Sequence, residues 1–171
     1  MKRHIRIFFI ILILLVIDQA TKMWALTQLQ GSAGVSLISG VFEFQYLENR
    51  GAAFGILQNH RELFLIMTVA AGALLTYFYV KMPDSGKYTP LRCCYVGLMA
   101  GAVGNLIDRM FRGYVIDFLY FRLIDFPIFN VADIYVTVTV VILLLLLLFY
   151  YKEEDLAVFG RKETHGRDNR A

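Results

Sequence analysis

The chain has 171 residues, of which 58% are hydrophobic, 15% aromatic and only 18% charged, a composition far more apolar than that of a soluble domain of this length. It points to one integral-membrane domain over residues 1–171, and a net charge of +3 with no large basic cluster away from the chain ends argues against a nucleic-acid partner. The adjacent Cys93 and Cys94 would form a strained disulfide and read as buried apolar residues, while the scattered His4, His60 and His165 leave no spacing for a zinc site, so no metal is expected.

The first predicted element follows Lys2, Arg3, His4 and Arg6, where an uncharged apolar run starts at Ile7. A secretory signal peptide has the same outline. Asp18 and Lys22 follow directly at i and i+4, with Trp24 where an interfacial aromatic belongs, and this favours a retained first membrane helix over about residues 5–26. Residues 27–60 change character: Gly31, Gly34 and Gly40 break the helical pattern, and Phe42, Phe44 and Tyr46 alternate with Glu43 and Gln45, the period of a strand with one apolar and one polar face. A small sheet at the membrane surface fits this stretch. The segment Leu47–Gly55 then reads as a charged loop leading into a helix.

Three further spans are predicted, at about residues 62–80, 90–108 and 132–151. The third carries Gly97 and Gly101 four apart, and Ala100 with Gly104 likewise, so a close helix contact is expected along that face. The polar tail 152–171 is expected to be mobile. With four spans, one side collects Lys2, Arg3 and Arg6, then Lys81, Lys87 and Arg92, then Lys152, Arg161, Lys162, Arg167 and Arg170, which is eleven of the 17 basic residues. Both termini are therefore expected in the cytoplasm, and residues 108–133 outside.

The stretch Gly104–Asp133 concentrates four aspartates and three arginines between apolar segments. Carboxylates so placed are costly to ionise, which implies a partner or a reaction. Two of them close enough to share a proton would suit an aspartyl protease, one acting as base on a water and the other as acid toward the carbonyl oxygen. Asp108, Asp117, Asp125 and Asp133 all qualify by position, and spacing does not select the two that meet. Asp108 beside Arg109 also reads as a helix-end ion pair, and Asp125 before Phe126 and Pro127 as a turn residue.

Five segments, taken in order, resemble the lipoprotein signal peptidase (signal peptidase II) family over most of residues 5–150. They are Asp18-Gln19-Ala20-Thr21-Lys22, Asn49-Arg50-Gly51-Ala52-Ala53-Phe54, Gly104-Asn105-Leu106-Ile107-Asp108-Arg109, Val115-Ile116-Asp117-Phe118 and Phe129-Asn130-Val131-Ala132-Asp133. The resemblance implies a membrane α-helical fold, four transmembrane helices with a small extracytoplasmic β-sheet, in the bacterial cytoplasmic membrane. It implies Asp117 and Asp133 as a catalytic dyad of an aspartic endopeptidase that needs no metal or organic cofactor. The implied partners are membrane lipid and a diacylglyceryl prolipoprotein, cut before its lipidated cysteine by a monomeric enzyme. Asn49, Asn105, Arg109 and Asn130 are implied to orient substrate and dyad, Gly51 to let the outer loop approach the substrate, and Asp18 and Lys22 to support the site. Each has a plainer reading too: Asn130 as a helix cap, Asp18 with Lys22 as a structural ion pair, Arg109 as a ligand for lipid phosphate.

Two other classes compete. A small ion-coupled transporter would carry polar groups in mid-span, yet the runs Leu63–Val80 and Ile134–Tyr151 hold nothing more polar than Thr and Tyr. A structural membrane adaptor would need no single aspartate.

Overall fold

The computed structural model of the chain describes residues 2–51 and 61–160; Ala52, Ala53 and Phe54 of the outer-loop segment, and the tail beyond 160, lie outside the described residues. Helix α1 (Lys2–Leu29) leads into strands β1 (Val35–Ile38) and β2 (Phe42–Asn49). Helices α2 (Arg61–Lys81) and α3 (Thr89–Phe111) follow, then β3 (Val115–Tyr120), α4 (Val131–Leu145) and a short α5 (Glu153–Gly160). Four of these helices are long and apolar enough to cross a membrane, α4 by continuing as a π-turn over Leu146–Tyr150. The first three extend to or a few residues past the ends expected from hydropathy, and the fourth starts one residue earlier and ends one residue earlier, at Tyr150.

The sheet is antiparallel in the order β1-β2-β3. Gly40 at φ +71° turns the β1–β2 hairpin and Gly113 at φ +82° turns α3 into β3, both in the left-handed region that a side chain disfavours. The register sets Leu47 opposite Asp117 and Asn49 opposite Val115, with an irregularity between Phe44 and Leu47. The expected strand at Phe42–Tyr46 is present, but its polar face is not solvated. Glu43 is buried, accepting from Arg122 and Gln45. Strand β3 lacks alternation because both its faces are covered: Ile116 and Phe118 pack toward Ala25 and Leu29 of α1, and Asp117 faces the opposite way into a cleft.

The small-residue stripe of α3 makes the close contacts its spacing predicts. A Cβ on Gly101 would stand 2.6 Å from the carbonyl oxygen of Ala132 in α4, and one on Gly104 would stand 2.6 Å from Asp18 Oδ2 in α1. Gly97 lies against Thr139 in the same way. Two expectations fail here. Cys94 is buried but Cys93 is exposed, since neighbours on a helix point about 100° apart and only one can face the core. The stretch after Lys152 is not simply a mobile tail: α5 folds back, setting Phe159 edge-on to Phe78 of α2, while Lys87 pairs with Asp155 at 2.5 Å and Tyr151 Oη donates to the carbonyl of Lys87. Arg3 pairs with Asp84, and Tyr79 Oη meets His4 Nδ1 at 2.6 Å. The start of α1, the α2–α3 connection and α5 thus share one end of the bundle, opposite the sheet.

Candidate active site

Strand β3 carries Asp117 and the first turn of α4 carries Asp133, and both line one cleft of about 800 Å3 between sheet and helices. Asn130 caps α4 in a reciprocal box: its Oδ1 accepts from Asp133 N at 3.1 Å and its own N donates to Asp133 Oδ2 at 3.0 Å. That cap fixes the other side of the amide. Asn130 Nδ2 donates to Asp117 Oδ1 at 2.6 Å and to Asn105 Oδ1 at 3.2 Å, linking the two acids through one residue. The helix-cap and site readings of Asn130 are therefore the same geometry.

Asn49 and Asn105 complete the set. Asn49 Oδ1 accepts from Gly51 N at 3.0 Å, leaving Nδ2 to donate to Asp117 Oδ2 at 2.7 Å. Asn105 Oδ1 accepts from Lys22 Nζ at 2.9 Å, leaving Nδ2 to donate to Asp133 Oδ1 at 2.8 Å. In all three asparagines the oxygen faces a group that can only donate, so the nitrogen has no choice but to face a carboxylate or another amide oxygen. Asp117 is 1% exposed. Burial first, then the charge of Asp133, pushes its carboxyl from an ordinary 3.8 up to about 7, against the pull of the Asn49 and Asn130 hydrogen bonds.

Behind the cleft lies a fully buried ionic cluster. Lys22 Nζ sits 2.9 Å from both Asp18 Oδ2 and Asp108 Oδ2, with all three side chains inaccessible. Asp18 Oδ1 also accepts from Ala132 N at 3.0 Å, tying α1 to the start of α4. Asp108 is not paired with its neighbour Arg109; it bonds Arg112 one turn on, because i and i+4 share a helix face and i and i+1 do not. Arg109 instead turns to the cleft, where Nη2 donates to the Gly51 carbonyl at 3.3 Å and the guanidinium lies 4.6 Å over the ring of Phe64.

All nine residues singled out from the sequence are thus connected: Asn49, Gly51, Arg109, Asp117 and Asp133 line the cleft, Asn105 and Asn130 bridge, and Asp18 and Lys22 stand behind. Asp125 is exposed, as its turn reading requires, and so is Arg122 in the same turn. Sequence reasoning missed the pair of Asp108 with Arg112, for which the signal was the i and i+4 spacing, and missed both Asp108 as the second acid on Lys22 and Phe64, which no local pattern marks out. Among the described residues no group of His, Cys, Asp or Glu is placed to hold a metal ion.

Apolar helices of membrane-spanning length around a polar, acid-bearing cleft define a multi-pass membrane protein with the makings of an enzyme. Residues 10–149 match the family described as Signal peptidase (SPase) II. The chain is 39% identical over 132 residues to the lipoprotein signal peptidase of Halothermothrix orenii, covering 77% of this chain and 88% of that one. It is 38% identical over 153 residues to that of Clostridium tetani, covering 88% and 97%. A solved structure described as a bacterial membrane enzyme at 2.3 Å resolution shares the fold with a TM-score of 0.75 and 30% identity, covering 92% of each chain. This chain belongs to the signal peptidase II family and is, by that membership, a peptidase.

Proposed function

We propose that this protein is a membrane aspartyl endopeptidase that removes the signal peptide from diacylglyceryl-modified prolipoproteins, cleaving before the lipidated cysteine with Asp117 and Asp133 as the reacting pair. What carries the reading is the convergence of two carboxylates on one largely apolar cleft, each held by amide nitrogens whose orientation is fixed from behind. Near neutral pH Asp117 keeps a proton much of the time, and Asp133 is assigned the role of base. Asp133 takes a proton from a water as its oxygen attacks the scissile carbonyl carbon, and Asp117 gives its proton to the carbonyl oxygen. The resulting tetrahedral diol collapses as one hydroxyl returns its proton to Asp117 and Asp133 passes its proton to the leaving nitrogen, which breaks the C–N bond and restores the starting state.

Arg109 and Asn49 are assigned to orient the peptide, Gly51 to admit its backbone, and Asp18 and Lys22 to hold Asn105 and the start of α4 in place. The apolar cleft wall, including Phe126, Ile134 and Val138, suits a substrate anchored by lipid. Lys2, Arg3, Arg6, Lys81, Lys87, Arg92 and Lys152 lie at the end opposite the sheet, which supports cytoplasmic termini and an extracytoplasmic site in a bacterial cytoplasmic membrane.

The test is cleavage of a lipid-modified precursor followed by gel shift in detergent. Asp117→Asn and Asp133→Asn should each insert and fold but lose at least about 100-fold in rate, the low end of what a positioned proton donor or acceptor contributes. Full activity in either variant sinks the dyad, and equal cleavage of a precursor lacking its diacylglyceryl group sinks the substrate assignment.

A further inference from the structure

In the cluster behind the cleft, two carboxylates face one ammonium. The side chains of Asp18, Asp108 and Lys22 are all inaccessible, so the three together leave one negative charge uncompensated in the interior. A buried charge without a partner is strongly destabilising. The balancing cation is Arg112, whose Nη1 bonds Asp108 Oδ1; at 22% exposure its side chain is the one charged member of the group with access to solvent. A basic side chain at the C-cap of α3 is favoured by the helix dipole alone, but this guanidinium has more specific partners. Besides Asp108 it meets Gln19 Oε1 of α1 at 3.4 Å and Met23 Sδ at 3.1 Å. Gln19 Nε2 in turn donates to Asp18 Oδ2 at 3.1 Å and to the Gly104 carbonyl at 3.2 Å, which ties Arg112 to both acids of the cluster.

The orientation of this cluster reaches both acids of the cleft. Because Arg112 occupies Oδ1 of Asp108, Oδ2 is turned to Lys22 Nζ at 2.9 Å and to the backbone N of Ile116 at 3.4 Å. Ile116 immediately precedes Asp117 on β3. Lys22 has three protons and three oxygens around it, Asp18 Oδ2, Asp108 Oδ2 and Asn105 Oδ1, each at 2.9 Å, so its ammonium has no freedom to turn. Asn105 passes the constraint on by donating to Asp133 Oδ1 at 2.8 Å. One path therefore runs from Arg112 through Asp108, Lys22 and Asn105 to Asp133, and a shorter one from Asp108 to the backbone beside Asp117.

We propose that Arg112 is a positioning residue for the reaction: it supplies the fourth charge that balances the buried cluster and fixes the Asp108 carboxylate, which holds Lys22 and, through Asn105, Asp133. Arg112 does not itself line the cleft. Without the guanidinium the Asp108 carboxylate is free to rotate, Lys22 loses a fixed oxygen, and the Asn105 amide is free to turn its oxygen toward Asp133, where oxygen would meet oxygen. The effect on rate rests on the reading of Asp117 and Asp133 as the reacting pair; the charge balance does not.

Two substitutions separate charge from shape: Arg112→Gln removes the cation and keeps a polar side chain, and Arg112→Lys keeps the cation. In cleavage of the lipid-modified precursor, Arg112→Gln should lower kcat per folded enzyme by about 10-fold or more, within the roughly 100-fold that a small misplacement of a reacting group costs, and leave KM unchanged. Arg112→Lys should recover most of kcat. Parent kcat in Arg112→Gln, the same loss in both variants, or a loss that comes only from a smaller folded fraction overturns the proposal. Thermal unfolding tests the charge balance without any substrate. Adding Asp108→Asn to Arg112→Gln leaves one acid against one base, so the double variant should unfold at a higher temperature than Arg112→Gln alone, and an equal or lower temperature overturns the balance. A parent protein that leaves the precursor uncut removes the reading on which the rate effect rests, and the unfolding comparison then decides.

Discussion

Each asparagine of the site is set from its oxygen side by an obligate donor: Lys22 for Asn105, the backbone of Asp133 for Asn130, the backbone of Gly51 for Asn49. Replacing Asn130 by Asp keeps the cap but removes the donor to Asp117 and adds a third acid. Asn130→Asp should therefore lower kcat by at least about 100-fold while the protein stays folded, measured by precursor cleavage alongside thermal unfolding. The proton on Asp117 adds a pH dependence. With the folded carboxyl at about 7 and the unfolded one at 3.8, the folded state binds more protons between those values, so stability falls as pH rises through that window. Asp117→Asn removes this slope, and above pH 7 the variant should gain stability relative to the parent, by at most on the order of 4 kcal/mol, in denaturation run at pH 4 and pH 8. In the proposed mechanism, cleavage by the parent should likewise decline as pH rises above about 7. Spacing left Asp108, Asp117, Asp125 and Asp133 open, and only the resemblance singled out Asp117 and Asp133, the two that line one cleft. The partner of Asp108 was not legible, since Lys22 lies 86 positions away and adjacency to Arg109 suggested the wrong ion pair.

Helix α3 is the element on which the others depend, touching α1, α2 and α4 and carrying both Asn105 and Arg109. Its glycines admit backbone, not merely side chains. A methyl at Gly101 meets the Ala132 carbonyl, which cannot rotate away without moving the first turn of α4 and Asp133 with it. Gly101→Ala should thus cost about 1–3 kcal/mol in unfolding experiments and lower cleavage as well, whereas Gly86→Ala, with open space at its Cβ, should do neither. Helical spacing in the sequence revealed this stripe, and alternation revealed β2. The run Val115–Tyr120 hid its strand because burial on both faces erases alternation, and α5 was hidden because what orders it is contact with α2 and the α2–α3 connection, not its own propensity.

The bundle is polar at its core near one end and aromatic at the other, where Tyr79 stacks on Tyr95 and Tyr88 on Tyr151. With Lys2, Arg3, Arg6, Lys81, Lys87, Arg92 and Lys152 at the aromatic end, a fluorescent reporter fused after Gly160 should mature in the cytoplasm, and an alkaline phosphatase fused there should stay inactive; the reverse pattern would invert the topology. The number and order of spans were readable from hydropathy alone. How they pack was not, because in lipid every face of a span is apolar and only the small and polar residues specify contacts. The buried cluster around Lys22 also bears on how the protein is made. Asp18 and Lys22 enter the membrane with the first span, but their second acid and the acceptor on Asn105 arrive only with the third, and the bond from Ala132 N only with the fourth. A chain halted after two spans holds a bare ion pair in lipid, so completing the helix bundle and completing the cleft are one event in its biogenesis.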